Sequence, residues 1–225
     1  MFRTLQAGVG AAVLLASVAA QALPVTATLT ADNHYGLYYG QADGSGMNFV
    51  GRNEPGEGGS PCNYNWSCAE TWNFNAGGGD YAYVVAWDTG GQQMWIGDFD
   101  LGSSTLVSNI ASWEYYVAPV TTAFAPTGNP PIGAAALGAL IGSATWANPL
   151  AEANNGVGPW GTIAGVDPSA KFLWHDTLNG TSTSDGRFVI FRSRDPLQEA
   201  QVPEPGSLAL VGLALAGAAF VRRRR

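Results

Sequence analysis

The chain has 225 residues, 46% of them hydrophobic and only 12% charged, with a formal charge of −7 at pH 7. Once both ends are set aside, Leu23 to Val202 holds five basic residues (Arg52, Lys171, Arg187, Arg192 and Arg194) against sixteen acidic ones, a balance of −11. With no basic patch there is no electrostatic footprint for nucleic acid, and phosphate-backbone binding is excluded. An acidic, sparsely charged surface suits a secreted protein and is able to recruit divalent cations.

Residues 1–22 carry Arg3, then an uncharged run from Leu5 to Ala20, then Ala20-Gln21-Ala22 as a small-x-small cleavage site. This is the pattern of a secretory signal peptide, with cleavage expected after Ala22 or, second, after Ala20. The working domain is then 23–195, one unit large enough to bury a good core.

Gly, Thr, Ser, Asn and aromatics dominate that domain, and its apolar residues fall in short runs bounded by turn formers, which predicts β-structure. The expected strands are Val25 to Thr30, His34 to Tyr39, Met47 to Gly51, Tyr81 to Trp87, Gln93 to Phe99, Ser112 to Ala118, Phe172 to His175 and Arg187 to Arg192. In the run Tyr81 to Trp87 both faces are apolar, as in a strand at mid-sheet. Asp88-Thr89-Gly90-Gly91 has the chemistry of a hairpin turn into the next strand, and a second hairpin is expected from Lys171 to Arg192. Pro130 to Gly142 reads as one short inserted helix, with Pro near its start and Gly near its end. The segment from there to Asp167 reads as loop. Many short strands with turns between them predict a mainly β fold, a single antiparallel β-sandwich of jelly-roll-like type.

Cys62 and Cys68 are separated by five residues in a loop-like stretch, and export makes a disulfide between them the expected state. His34 and His175 sit in strands beside aromatics and read as structural; no Gly-x-Ser-x-Gly elbow accompanies them. Gly156 to Gly161 matches Gly-x-Gly-x-x-Gly, a cheap match among thirty glycines with no helix opening behind it. Alternating carboxylates make Asp88, Asp98 and Asp100 the candidate ligands for a calcium ion, although the spacing is not that of an EF-hand. No catalytic constellation is evident. Eight Trp and eight Tyr are a heavy aromatic load. Trp66, Trp72, Trp113, Trp160 and Trp174 fall near loops or strand ends, where exposed rings would stack on sugars, whereas Trp87 and Trp95 are expected between the sheets.

Residues 196–206 form a linker containing Val202-Pro203-Glu204-Pro205, in which two prolines fix φ and keep the chain extended. Ser207 to Val221 is an uncharged apolar run, short of the roughly 20 residues of a comfortable membrane span. Arg222, Arg223, Arg224 and Arg225 then form a basic stop that favours the cytoplasmic side. Pro-Glu-Pro, apolar helix and arginine cluster in that order resemble the PEP-CTERM sorting signal of Gram-negative bacteria. The resemblance implies recognition by an exosortase-type membrane protease and cleavage near Pro-Glu-Pro. It further implies an inner-membrane intermediate and delivery of the domain to the cell surface or the extracellular matrix. What it implies is a route rather than an activity. The expected role is therefore that of a non-enzymatic surface or extracellular-matrix protein associated with exopolysaccharide. A carbohydrate-binding module using exposed aromatics and a secreted glycan hydrolase are the alternatives.

Overall fold

Alternation of large apolar and small polar residues decides which face of each strand is buried, and in this chain it produces two sheets. The computed structural model describes residues 22–53, 66–88, 90–119, 131–184 and 186–198. Strand β1 (Leu23–Asp32) turns Leu23, Val25, Ala27, Leu29 and Ala31 inward and the threonines between them outward. Next come β2 (His34–Gly40), β3 (Asn48–Arg52), β4 (Glu70–Ala76), β5 (Tyr81–Trp87), β6 (Met94–Asp100), β7 (Thr105–Val107) and β8 (Trp113–Val117). After them follow helix α1 (Ala134–Gly142), β9 (Ala151–Asn154), β10 (Lys171–Trp174) and β11 (Val189–Ser193).

The first sheet has the order β4-β1-β6-β10-β9, and β7 pairs with β6. The second has the order β3-β2-β5-β11-β8. All pairs are antiparallel, and the two sheets face each other as a sandwich. Strands β10 and β7 share one edge of β6, at Trp95 and at Asp98 to Asp100 respectively. Ser108 closes the junction between them. Its amide donates to Gly97 O at 2.9 Å and its hydroxyl to Lys171 O at 2.7 Å, while Gly97 N donates to Ser108 Oγ at 3.1 Å.

Three apolar clusters hold the layers. The largest lies between the sheets and contains Leu29, Tyr35, Leu37, Val84, Trp95, Phe99, Trp113, Trp174 and Phe191. A second covers the outer face of the second sheet, where Leu137 and Ile141 of α1 and Ile132 pack on Tyr38, Tyr83, Val85, Trp87 and Ile190. The third covers part of the outer face of the first sheet, where Trp160, Ile163 and Val166 lie over Met94, Ile96 and Phe172. Burying one such large side chain stabilises by about 1.5–3 kcal/mol.

The mainly β sandwich and its single short helix agree with the sequence, and β5 does lie at mid-sheet. Neither expected hairpin forms. Strands β5 and β6 belong to opposite sheets, so Asp88 to Gly91 is a crossover, and the same holds for β10 and β11. A turn signal fixes where the chain reverses but not which sheet receives it. Trp95 does lie between the sheets, whereas Trp87 points to the outer face of the second sheet with Phe188, ring centroids 5.3 Å apart. Strands β4, β7 and β9 were not foreseen, the last inside a segment read as loop.

Candidate functional site

Strand register divides the ends of the sandwich into two poles. At one pole β1, β3, β5 and β10 end and β2, β4, β6 and β11 begin, so Asp32, His34, Arg52, Glu70, Trp87, Asp88 and His175 gather there. At the other, Leu23 opens β1 opposite Ala76, and Leu197 returns to the same core with its amide donating to Asp80 O at 2.6 Å.

Two groups of polar side chains are buried at the histidine pole. Trp174, His175 and Asp176 at the end of β10 meet Ser182 and Ser184, six to ten positions on. The Ser182 hydroxyl donates to Asp176 Oδ1 at 3.0 Å and accepts from Trp174 Nε1 and the Ser184 amide, each at 3.2 Å. His175 Nε2 lies 3.0 Å from that hydroxyl and 3.2 Å from the same carboxylate oxygen. Since the hydroxyl proton is given to Asp176, His175 Nε2 carries the proton it shares with them. Burial pushes the Asp176 carboxyl up, but the Thr183 amide, His175 and the Thr183 and Ser182 hydroxyls outweigh it and hold the group below its ordinary value. Ser, His and Asp therefore meet, yet both partners sit on one imidazole nitrogen and Ser182 Oγ is saturated. A catalytic triad places the carboxylate on the nitrogen away from the nucleophile. The arrangement ties the β10–β11 loop down.

The second group surrounds His34, which stacks on Trp87 with centroids 5.1 Å apart at 14°. Burial first and the Arg52 charge second push the imidazole down to about 4, with Asp88 and Asp32 opposing. Arg52 is fully buried, its guanidinium 5.8 Å from the Trp87 ring. Beside them the Tyr35 hydroxyl donates to Glu70 Oε2 at 2.9 Å and accepts from Trp72 Nε1 at 2.7 Å. Asn53 bridges the Tyr35 amide to Asn33 O. Both histidines thus take structural positions inside the fold.

The five tryptophans expected as a sugar platform are placed otherwise. Trp113 and Trp174 are fully buried between the sheets, and Trp160 is 5% exposed in the outer cluster of the first sheet with Nε1 donating to Asp32 Oδ2 at 2.8 Å. Trp66 and Trp72 are half-buried against the core clusters. Each ring has a packing partner, and among the described residues the exposed large apolar side chains are Ile110, Leu150 and Val157. The candidate calcium ligands do not converge either. Asp88 is buried at the end of β5 and accepts from Gly90 N at 2.6 Å, whereas Asp98 and Asp100 share the outer face of the first sheet. Among the described residues no three His, Cys, Asp or Glu side chains are grouped to hold a metal ion.

Sequence reasoning missed a flat polar surface. The outer face of the first sheet is apolar and covered toward the histidine pole, but among the described residues nothing covers it toward the other. There the register aligns Asn73, Thr26, Asp100 and Thr105 across four strands, with Thr71, Thr28, Asp98 and the half-buried Val107 in the next row. Strands lie about 4.8 Å apart and successive outward residues about 6.7 Å along each strand, so the groups form a grid. Thr26 Oγ1 donates to Asn73 Oδ1 at 2.8 Å, and the Thr28 and Thr71 hydroxyls share a 3.0 Å bond. Asp98 marks the border: it accepts from the Asp167 amide at 2.8 Å, and burial pushes its carboxyl up. Alternate polar residues in Thr26-Ala27-Thr28 and in Thr71-Trp72-Asn73 mark one outward row on each strand, and only the pairing register joins the rows into a face.

No basic side chain opposes that face, because the domain's cations are engaged within it. Arg192 lies 4.1 Å from the Trp146 ring and 5.3 Å from that of Tyr81 while bonding Glu114 and Ala42 O. Arg194 bonds Asn148 and Ile110 O, Lys171 bonds Asn154 and Arg187 bonds Thr183 O.

The signal peptide through Gln21, Cys62 with its expected bond to Cys68, and the tail from Glu199 lie outside the described residues. Among the described residues no helix is long and apolar enough to cross a membrane. No curated protein and no solved structure matches the chain. Residues 201–225 match the model of the PEP-CTERM protein-sorting motif, in register with Pro203-Glu204-Pro205, the apolar run and the arginines. The chain thus carries a PEP-CTERM sorting signal and is an exported protein sorted by exosortase to the cell surface or beyond.

Proposed function

We propose that the domain is a non-enzymatic matrix protein that holds extracellular polysaccharide of the producing cell on the polar grid of β4, β1, β6 and β7. The observation that carries this reading is the grid itself, whose outward groups are hydroxyl, carboxamide and carboxylate with no cation among them. Such groups complement sugar hydroxyls and repel polyanions, so the partner is an uncharged polymer. Sorting proceeds through an inner-membrane intermediate held by Ser207 to Val221, and the Cys62–Cys68 bond closes the β3–β4 loop after export. The Ser182 hydroxyl, already donated to Asp176, supports a non-enzymatic reading, and the burial of Trp113, Trp160 and Trp174 supports the polar grid over an aromatic platform.

Affinity electrophoresis in gels cast with the producer's own polysaccharide tests this. Retardation of the wild type that falls at least tenfold in the Thr71→Ala/Asn73→Ala double variant is expected. Equal mobility of the wild type with and without polymer would sink the reading.

A further inference from the structure

The polar grid ends beside a cleft. Strand β7 has three residues and, among the described strands, pairs with β6 alone. Next to it lies a cleft of about 500 Å³, within the range of roughly 300–1,000 Å³ usual for small-ligand sites. Leu101, Leu106 and Leu197 give it an apolar lining continuous with the central core, and Ser104, Thr105, Ser112 and Asp195 give it a polar one. The backbone around it is fixed on three sides. Leu101 N donates to Ser104 O at 2.9 Å, Ser112 N to Asn109 Oδ1 at 2.7 Å, and Ser193 Oγ to Asp195 O at 2.8 Å. Arg194 N donates to Ser112 O at 2.9 Å and ties two of those sides together. The polar side chains stay outside this bonding: among the described residues, the three hydroxyls and the Asp195 carboxylate have no hydrogen-bond partner. Free polar groups on a fixed backbone lower the ordering cost of binding.

The lining also selects its ligand. A sugar ring presents C–H bonds on its faces and hydroxyls at its edge, so leucines and hydroxyls side by side match it. Among the described lining residues Asp195 alone is charged, and it repels an acidic sugar. Thr105 belongs to both surfaces, because it ends the row Asn73, Thr26, Asp100, Thr105 and also lines the cleft. That row crosses three strand spacings, about 14 Å.

We propose that the cleft is a second subsite, which grips one sugar unit of the same uncharged polymer, with Thr105 at the join; this rests on the grid reading above. The leucines take a C–H face of the ring, and the three hydroxyls and Asp195 take its hydroxyl groups. The grid spreads weak contacts over a run of chain, whereas the cleft concentrates them on one unit. Short oligosaccharides therefore bind in the cleft and not on the grid.

Calorimetric titration of the protein recovered from the producing bacterium tests this, with oligosaccharides released from the producer's own polysaccharide by partial acid hydrolysis. The wild type is expected to bind them, and Ala111→Trp, on the exposed side of the cleft, to weaken binding at least tenfold. Asp195→Ala removes a side chain that bonds nothing in the described fold and is expected to weaken binding at least fivefold; it decides the outcome if Ala111→Trp lowers the thermal melt. Thr71→Ala/Asn73→Ala keeps wild-type affinity for the oligosaccharides while losing retardation by the polymer. A wild type that binds no oligosaccharide, or a folded Ala111→Trp variant that binds them as the wild type does, overturns the cleft. Loss of oligosaccharide binding in the grid variant alone overturns it as well, by placing the sugars on the grid. Oligosaccharide binding without retardation of the wild type in polymer instead removes the grid reading and leaves the cleft standing.

Discussion

The two sheets solve one problem, an apolar outer face, by different means. On the second sheet α1 satisfies its own backbone and covers Tyr83, Val85 and Trp87 with side chains alone. Its approach is so close that a Cβ on Gly138 would lie 2.3 Å from Gly44 O. On the first sheet the chain from Asn155 to Ala170 has no regular structure and its amides find partners case by case. Several bond backbone carbonyls in irregular turns, as Gly156 N does with Gly161 O and Gly161 N with Val157 O, while Ile163 N uses the Asn155 side chain at 2.9 Å and Asp167 N uses Asp98 of the sheet. Its one large ring, Trp160, is bonded to Asp32. The helix thus needs no polar partner from the sheet beneath it, whereas the irregular cover draws on a sheet carboxylate, Asp98, for one of its amides.

The comparison breaks most sharply at Trp160. Trp160→Ala is expected to cost about 3–5 kcal/mol, since it empties the irregular cover and leaves Asp32 Oδ2 without its indole donor. Urea denaturation measures the total, and hydrogen exchange at Met94 and Phe172 shows whether that cover opens first. Trp160→Phe keeps most of the ring and loses only the hydrogen bond, for about 1 kcal/mol. Under the helix, Gly138→Ala is expected to cost about 1–3 kcal/mol by overpacking, despite the better helix propensity of alanine. Gly133→Ala, with nothing within 4 Å of the added Cβ, serves as its control in the same thermal melts.

Acidification separates the two sides by sign. His34, on the side of Trp87, stays neutral in the fold down to about pH 4, while the unfolded chain takes up its proton near 6.5. The unfolded state then binds more protons in that window, so stability falls from pH 6.5 to about 4 and levels off below. Asp98 and Asp32, on the side of the irregular cover, have carboxyls raised above 3.8, chiefly by burial. The folded state binds protons more readily there, so these groups add stability as pH falls through their folded values toward 3.8. His34→Gln should flatten the first trend in pH-dependent melts, and Asp98→Asn should remove part of the second, smaller one.

Local pattern made much of this legible. Alternation located β1, β2, β5 and β6 to within a residue or two, and Pro and Gly bracketed α1. What failed was non-local. Strand β4, ETWNFNA, alternates as clearly as β1, but it follows a Gly-rich, Cys-containing stretch that masks its start. β9, AEAN, is made of residues that favour helices, and only pairing with β10 makes it a strand. Loop position could not distinguish a rim tryptophan from a core one, because Trp113 and Trp174 adjoin loops in sequence and still point between the sheets. The meeting of His175 with Ser182 depends on how a loop folds back, which no periodicity records. The polar grid needed the register of four strands at once.

The excess of sixteen carboxylates over five cations between Leu23 and Val202 has a consequence for any gel that holds the domain. Held in a hydrated gel, the domain is a fixed polyanion whose charge must be balanced by mobile ions from the surroundings. Those counterions create a Donnan osmotic pressure that draws in water, so a matrix loaded with this domain swells in fresh water and contracts as salt is added.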